Sequence, residues 1–197
     1  MTIDVGTGDG RAVLAAAGRE PDTLVLGLDA SASAMAEASR RAARPARKGG
    51  LANALFVVAA AEALPPELSG RASLVSVLFP WGSLLRGCLG LDDTVAGGVA
   101  GLVAPGGRLE LLLAPAERDG LEGVPTTETG IIRAATRAFA RHGLRVLTAR
   151  AATPAEVAAT GSSWARRLGV AGHGKGSNGG GRNGADRSPV LIRLERR

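Results

Sequence analysis

Five short apolar runs punctuate the first 114 residues: TIDVG (2–6), TLVLGLD (23–29), NALFVVAAAE (53–62), ASLVSVLFP (72–80) and RLELLLA (108–114). Nearly continuous runs of this length predict strands buried on both faces. Between them lie segments with helical spacing: RAVLAAAGRE (11–20), ASAMAEASRRAARPA (32–46) and DDTVAGGVAGLV (92–103). Pro45 stops the second, and the third carries acids in its first turn, where the helix dipole favours them. LPPEL (64–68) predicts a turn or short helix, and APGG (104–107) a turn. Strands alternating with helices predict an α/β fold around a parallel sheet covered on both faces.

The pattern changes after residue 114. TTETGIIRAATRAFARHG (126–143) predicts a helix ended by Gly143, LRVLTAR (144–150) a sixth strand and SPVLIRLE (188–195) a seventh. No clean crossover helix joins the last two. TPAEVAATGSSWARRL (153–168) begins with a helical pattern, and GHGKGSNGGGRNG (172–184) carries seven glycines and is expected to be flexible. Seven strands with a late, unusual seventh point to a class I methyltransferase, a Rossmann-like, mostly parallel sheet. The 197 residues are expected to form one domain, with 151–188 linking strands six and seven.

Composition narrows the chemistry. Hydrophobic residues make up 45%, yet there are only three Phe, two Trp and no Tyr, so a placed aromatic needs a reason. The net charge of +6 favours a polyanionic partner, nucleic acid before anionic membrane. A lone Cys88 excludes an internal disulfide and suits a reducing compartment. Asp4 and Asp9 interrupt the start, against a signal peptide, and no run reaches the ~18 apolar residues of a membrane span. A cytoplasmic protein with no membrane partner is expected.

DVGTGDG (4–10) follows a strand and opens a helix, where a glycine turn lets a ligand approach the backbone. Asp29 comes 23 residues after Gly6, at the end of strand two, placed to accept ribose hydroxyls. AAE (60–62) follows strand three, where adenine sits in such folds. A dinucleotide and S-adenosylmethionine share the first two elements. Asp4 and Asp9 suit a sulfonium and an amino group better than a pyrophosphate, and the APGG turn is usual in methyltransferases.

At the carboxyl end of strand four stands LFPWGSLLRG (78–87). Enzymes that methylate exocyclic amines place an Asn/Asp-Pro-Pro-aromatic motif there. Phe-Pro-Trp-Gly has no such side-chain acceptor, and Cys88 is not in a Pro-Cys setting for covalent pyrimidine chemistry. His142 and His173 lie far along the chain, so no general base is expected at this position. A ring nitrogen of neutral adenine needs none, because its lone pair is free and position suffices. Trp81 and Trp164 could supply the two faces of a stack, with Ser162 beside them. Equally, Trp81 could be packing at a strand end, and Trp164 could dock a helix. RRAARPARK (40–48) holds five basic residues, and Arg166 and Arg167 follow Trp164; such clusters can bind phosphates or be solvated, and these two are expected near the acceptor elements from their order along the chain. The stripe Arg133, Arg137, Arg141 reads as solvated surface.

DVGTGDGR, GLDAS, RPARKGGLANALFVVAAAEALP, LFPWGSLLRG and SSWARRL together resemble the aminoglycoside-resistance 16S rRNA (adenine(1408)-N(1))-methyltransferases of the KamB and NpmA kind. The resemblance implies S-adenosylmethionine as methyl donor and 16S rRNA in the assembled 30S subunit as substrate. It implies that Asp4, Gly6, Gly8, Asp29, Ala61, Glu62 and Ser83 surround the cofactor. Trp81 and Trp164 match the pair that stacks on the flipped adenine, with Ser162 and Arg167 as neighbours. Arg44, Arg47, Lys48 and Arg166 match positions that touch rRNA. A monomer without metal is expected. Family members also carry a segment with a β-hairpin ahead of the first strand, whereas this chain begins at the strand. The competing readings are a tRNA guanine-N7 methyltransferase and an inactive, methyltransferase-like RNA-binding protein.

Overall fold

The computed structural model describes residues 1–167 and 188–197, without the side chains of Arg118, Arg166 and Arg167. The glycine-rich stretch 172–184 lies outside the described residues. Seven strands form one sheet: β1 (Thr2–Val5), β2 (Val25–Asp29), β3 (Ala54–Val58), β4 (Ala72–Leu78), β5 (Val103–Leu113), β6 (Leu144–Ala151) and β7 (Val190–Arg196). Their spatial order is β3-β2-β1-β4-β5-β7-β6. The pairings among β1 to β5 are parallel, and β7 inserts antiparallel to both β5 and β6. The strand order reverses between β1 and β4, so the ligand crevice of an open sheet falls at their carboxyl ends.

Helices α1 (Arg11–Arg19) and α2 (Ala32–Ala42) bury Val13, Leu14, Ala17 and Ala38 against Val25 and Ala54 on one face. The other face carries α3 (Gly82–Cys88), α4 (Asp93–Leu102) and α5 (Glu128–Ala140), whose Leu85, Val99, Ile131 and Phe139 meet the alternate residues of β1, β4, β5 and β7. The caps were written locally. Ser31 Oγ accepts the Ala34 N–H at 3.2 Å, and Asp92 accepts that of Val95 at 3.1 Å. Between β6 and β7, α6 (Pro154–Ala159) and α7 (Ser163–Arg167) follow.

Besides the unpredicted helix α3, the structure departs from the sequence reading in four places. The predicted third strand is shorter, ending at Val58. The APGG turn lies within β5, where the pairing with β4 shifts register between Ala72 and Leu74. The helical pattern at 153–168 breaks in two at Gly161, whose φ is 68°. Any Cβ there would come within 2.9 Å of Ala15 in α1, so the break lets this segment approach α1.

The fourth departure concerns coverage of the sheet. Among the described residues, one face is not covered along its whole width. Leu74, Ser76, Leu78 and Glu110 are half-buried around a cavity of about 270 Å³ that also touches α1 and α6. Leu74 and Leu78 share an apolar run with Val75 and Val77, so the sequence alone does not distinguish their solvent access.

Candidate methyl-transfer site

Strand β1 ends in Asp4 and Val5, and the chain then turns through Gly6, Gly8 and Gly10, all at positive φ. Gly6 is constrained further: a Cβ there would meet Leu84 of α3 at 2.5 Å. The turn is tied down from the neighbouring strand. Gly6 and Thr7 donate their N–H groups to the Leu28 carbonyl at 2.8 and 3.0 Å. Asp29 accepts the Gly8 N–H on Oδ2 and the Ser31 N–H on Oδ1, both at 2.8 Å. Its expected role on a ribose therefore coexists with a structural one, since each carboxylate oxygen keeps a lone pair.

Asp4 is buried. Burial pushes its carboxyl up to about 6, while the Ser76 hydroxyl, donating at 2.6 Å, works in the opposite direction. Thr7 Oγ1 is buried with no well-formed hydrogen bond. At the third strand end, Ala61 packs at the edge of the main core and Glu62 is exposed. The Ser83 hydroxyl bonds Glu62 and holds its carboxyl below the ordinary value, so two separately predicted cofactor residues touch.

Phe79 leaves β4 at φ 53°, a left-handed conformation that a bulky residue rarely adopts. The kink buries the Phe79 ring among Leu112, Ala114, Val157, Ala165 and Leu191. It leaves Trp81 as the N-cap residue of α3, 52% exposed. Val157 belongs to α6 and Ala165 to α7, so the same apolar cluster seats the segment that carries Trp164, itself 43% exposed. Both tryptophans line one cleft, with Phe79, Pro80, Leu85, Ala114 and Pro115. Among the described residues this lining contains no ionisable side chain. Trp164 also borders the glycine turn, in a narrow cleft with Asp4, Gly6, Thr7, Asp9 and Ser162.

Neither tryptophan is buried packing alone. Ser162 Oγ accepts the Trp164 N–H at 3.2 Å, which leaves its own proton to donate. His142 faces Asp93 at 3.2 Å and does not line the tryptophan cleft; His173 lies outside the described residues. Arg166 and Arg167 belong to α7, and their side chains are not described. The basic stretch falls elsewhere. Helix α2 returns the chain to the start of β3, so exposed Arg44, Arg47 and Lys48 lie at the opposite edge of the sheet from Trp81. Adjacency to the acceptor, suggested by order along the chain, is corrected by this topology. The sequence reading missed Phe79, Ala114 and Pro115 as cleft residues; scarcity of aromatics was the one signal that could have marked Phe79.

Comparison with known proteins meets this geometry. The family model described as 16S rRNA (adenine(1408)-N(1))-methyltransferase, NpmA, matches residues 1–176. The chain belongs to this family. It is 41% identical over 174 residues to a 16S rRNA (adenine(1408)-N(1))-methyltransferase of Streptoalloteichus tenebrarius, covering 85% of this chain and 80% of the relative. A solved structure of the 16S rRNA methyltransferase KamB aligns with a TM-score of 0.80 at 33% identity, over 98% of this chain and 86% of that one. A tryptophan-to-alanine mutant of the family enzyme from Catenulisporales acidiphilia, with cosubstrate SAM, aligns at 0.80 and 30% identity, over 99% of this chain and 84% of that one. The donor set of this chain fits such a ligand: the carboxylates of Asp4 and Asp29 stand at the glycine turn, Arg11 beside it is paired with Asp9, and Glu62 bonds Ser83 after the third strand. Among the described residues no His, Cys, Asp and Glu cluster could hold a metal ion, and no helix is long and apolar enough to cross a membrane.

Proposed function

We propose that this protein methylates N1 of adenine 1408 of 16S rRNA, in the assembled 30S subunit, and thereby confers aminoglycoside resistance. The observation that carries the reading is the cleft lined by Trp81 and Trp164, which among the described residues lacks an ionisable lining, with Trp164 also bordering the glycine turn. S-adenosylmethionine supplies the electrophilic methyl group. Asp4, Gly6, Gly8, Asp29, Ala61, Glu62 and Ser83 hold it. Trp81 and Trp164 stack on the flipped adenine, with Ser162 and Arg167 orienting it. The adenine N1 lone pair forms the new N–C bond as the S–C bond breaks, and no proton has to leave. A cleft without a base suits a ring nitrogen and does not suit an exocyclic amine.

Arg44, Arg47, Lys48 and Arg166 contact rRNA phosphates, which makes binding salt-dependent. Because Lys48 lies across the sheet from Trp81, the footprint is wider than one nucleotide, which favours the assembled subunit as substrate. The whole chain acts as one domain, as a monomer in the cytoplasm, without metal. The added methyl group places bulk and positive charge on a base edge that the drugs use.

Purified protein incubated with S-adenosylmethionine and bacterial 30S subunits should give a primer-extension stop at adenine 1408. Label entering tRNA and not 30S subunits would overturn the assignment. Cofactor binding without transfer to either RNA would instead favour an inactive RNA-binding protein.

A further inference from the structure

We propose that Ser76 is a positioning residue for the cofactor: it fixes one oxygen of Asp4 so that the other, ionised, meets the amino group of S-adenosylmethionine. The inference rests on the function proposed above. Asp4 and Ser76 are direct partners in the parallel pairing of β1 with β4. Both project to the face away from the main core, whose members are Ile3, Val5, Val75 and Val77. Asp4 borders the narrow cleft at the glycine turn and also the open cavity over the sheet, whereas Ser76 lines only the cavity. Ser76 thus stands behind Asp4, seen from the cofactor, and its 2.6 Å hydrogen bond occupies Oδ1. Oδ2 is left to turn towards the cleft.

This arrangement has electrostatic content because, besides Ser76, only the Thr7 hydroxyl supports a charge on Asp4, and it does so more weakly. Asp29 at the end of β2 opposes its ionisation, and Asp9 stands in the same cleft. Around the cavity, Arg19 of α1 and Glu20 just after it, Glu110 of β5, Glu156 of α6 and Arg193 of β7 form the charged wall. Arg193 is engaged by Glu110 at 2.7 Å and by Glu156 at 3.9 Å. The Ser76 hydroxyl is the stronger of two neutral donors, with Thr7, that favour the carboxylate without adding a cation to repel the cofactor's ammonium and sulfonium. Hydrogen bonds to charged groups are the stronger class, so removing this one weakens cofactor binding by about tenfold or more.

Ser76→Thr keeps the hydroxyl and Ser76→Val has nearly the same shape without it, so the pair separates positioning from packing. Titration calorimetry with S-adenosylhomocysteine between pH 5 and 8 reads the effect. Affinity is full while Asp4 is ionised and falls as the pH drops through its titration. In Ser76→Val that fall should move to higher pH, with affinity near neutrality about tenfold weaker, and Ser76→Thr should restore both. A folded Ser76→Val protein with unchanged affinity and pH profile would overturn the proposal. So would equal losses in both variants. An unsubstituted protein that fails to bind the ligand would overturn the functional reading itself.

Discussion

The cofactor side and the acceptor side of this molecule are built differently. The cofactor side consists of strand ends and the turns that follow them. Its elements lie within a few residues of a strand, and parallel pairing of β1 with β2 fixes where they stand. The acceptor side joins Trp81 with Trp164, which are far apart in the chain. Nothing in the backbone ladder brings them together directly. A small apolar cluster under both segments does so, centred on Phe79 with Val157 and Ala165. One side therefore inherits its precision from the sheet, and the other from side-chain packing at the sheet's edge.

That contrast can be broken experimentally. The largest effect should come from Phe79→Ala, which empties the cluster below both tryptophans. Large-to-small aromatic truncation in a core costs about 3–5 kcal/mol, and urea unfolding should register a loss in that range. The strained φ stays, since alanine gains nothing there. Methylation of 30S subunits should fail while the glycine turn survives at temperatures where the variant is folded. If both tryptophan-dependent activity and cofactor binding fell in parallel, the two sides would not be separable.

Trp81→Ala and Trp164→Ala come next. Each removes one stacking face, worth about 1–3 kcal/mol, so each should slow methylation by roughly tenfold to a hundredfold. For Trp81→Ala the dissociation constant for S-adenosylhomocysteine should change by less than about twofold, because Trp81 does not line the cleft at the glycine turn; Trp164 borders that cleft, so Trp164→Ala should weaken the ligand more. Rate measurements on 30S subunits alongside calorimetry decide this. Equal loss of folding stability would return either tryptophan to a packing role.

Asp4→Asn sharpens the other side. The folded carboxyl titrates near 6, above its ordinary 3.8, so the cofactor-free fold binds that proton more tightly than the unfolded chain does. Acidification from about pH 6 to pH 4 therefore relieves a cost that is fully present above pH 6, up to about 3 kcal/mol. Asn at this position should remove that pH-dependent part and raise stability at pH 7 while abolishing cofactor binding. Unfolding midpoints at several pH values provide the check, and no stabilisation at pH 7 would contradict the burial cost.

The smallest effect is expected at Glu156. Its carboxylate accepts two Arg150 hydrogen bonds, at 2.7 and 2.9 Å, and caps α6 through Thr153, which together hold it well below the usual carboxylate range. The pair is partly exposed, so it steadies α6 and contributes little to the whole fold. Glu156→Gln should reduce methylation by about two- to fivefold with cofactor affinity unchanged. A loss as large as that of Trp164→Ala would make this ion pair, and not the Phe79 cluster, the chief support of the acceptor segment.

Much of the site was legible in the chain because its chemistry is local. The acid opening DVGTGDG, the acid closing TLVLGLD and the AAE after strand three each sit at a strand end, and each strand was marked by its own apolar run. The FPWG and SSWARRL stretches were marked by rarity of aromatics and by family resemblance. What could not be read was their relation. Helix α3 went unpredicted because it is short and begins at the kink after Phe79, whose conformation the sequence does not announce. The opposite placement of Lys48 and Trp81 also depends on strand direction, which order along the chain conceals.

The sequence by itself determined the alternation of strands and helices, the turn that follows β1, and the residue types available for cofactor and base. These follow from periodicity, turn chemistry and short-range geometry. Only the tertiary structure decided that Trp81 and Trp164 share a cleft, that Asp4 is buried against Ser76, and that, among the described residues, a cavity lies over part of one sheet face. These depend on the order in which parallel strands assemble and on which side chains fill the space between distant segments. A pattern of hydrophobic positions leaves that free.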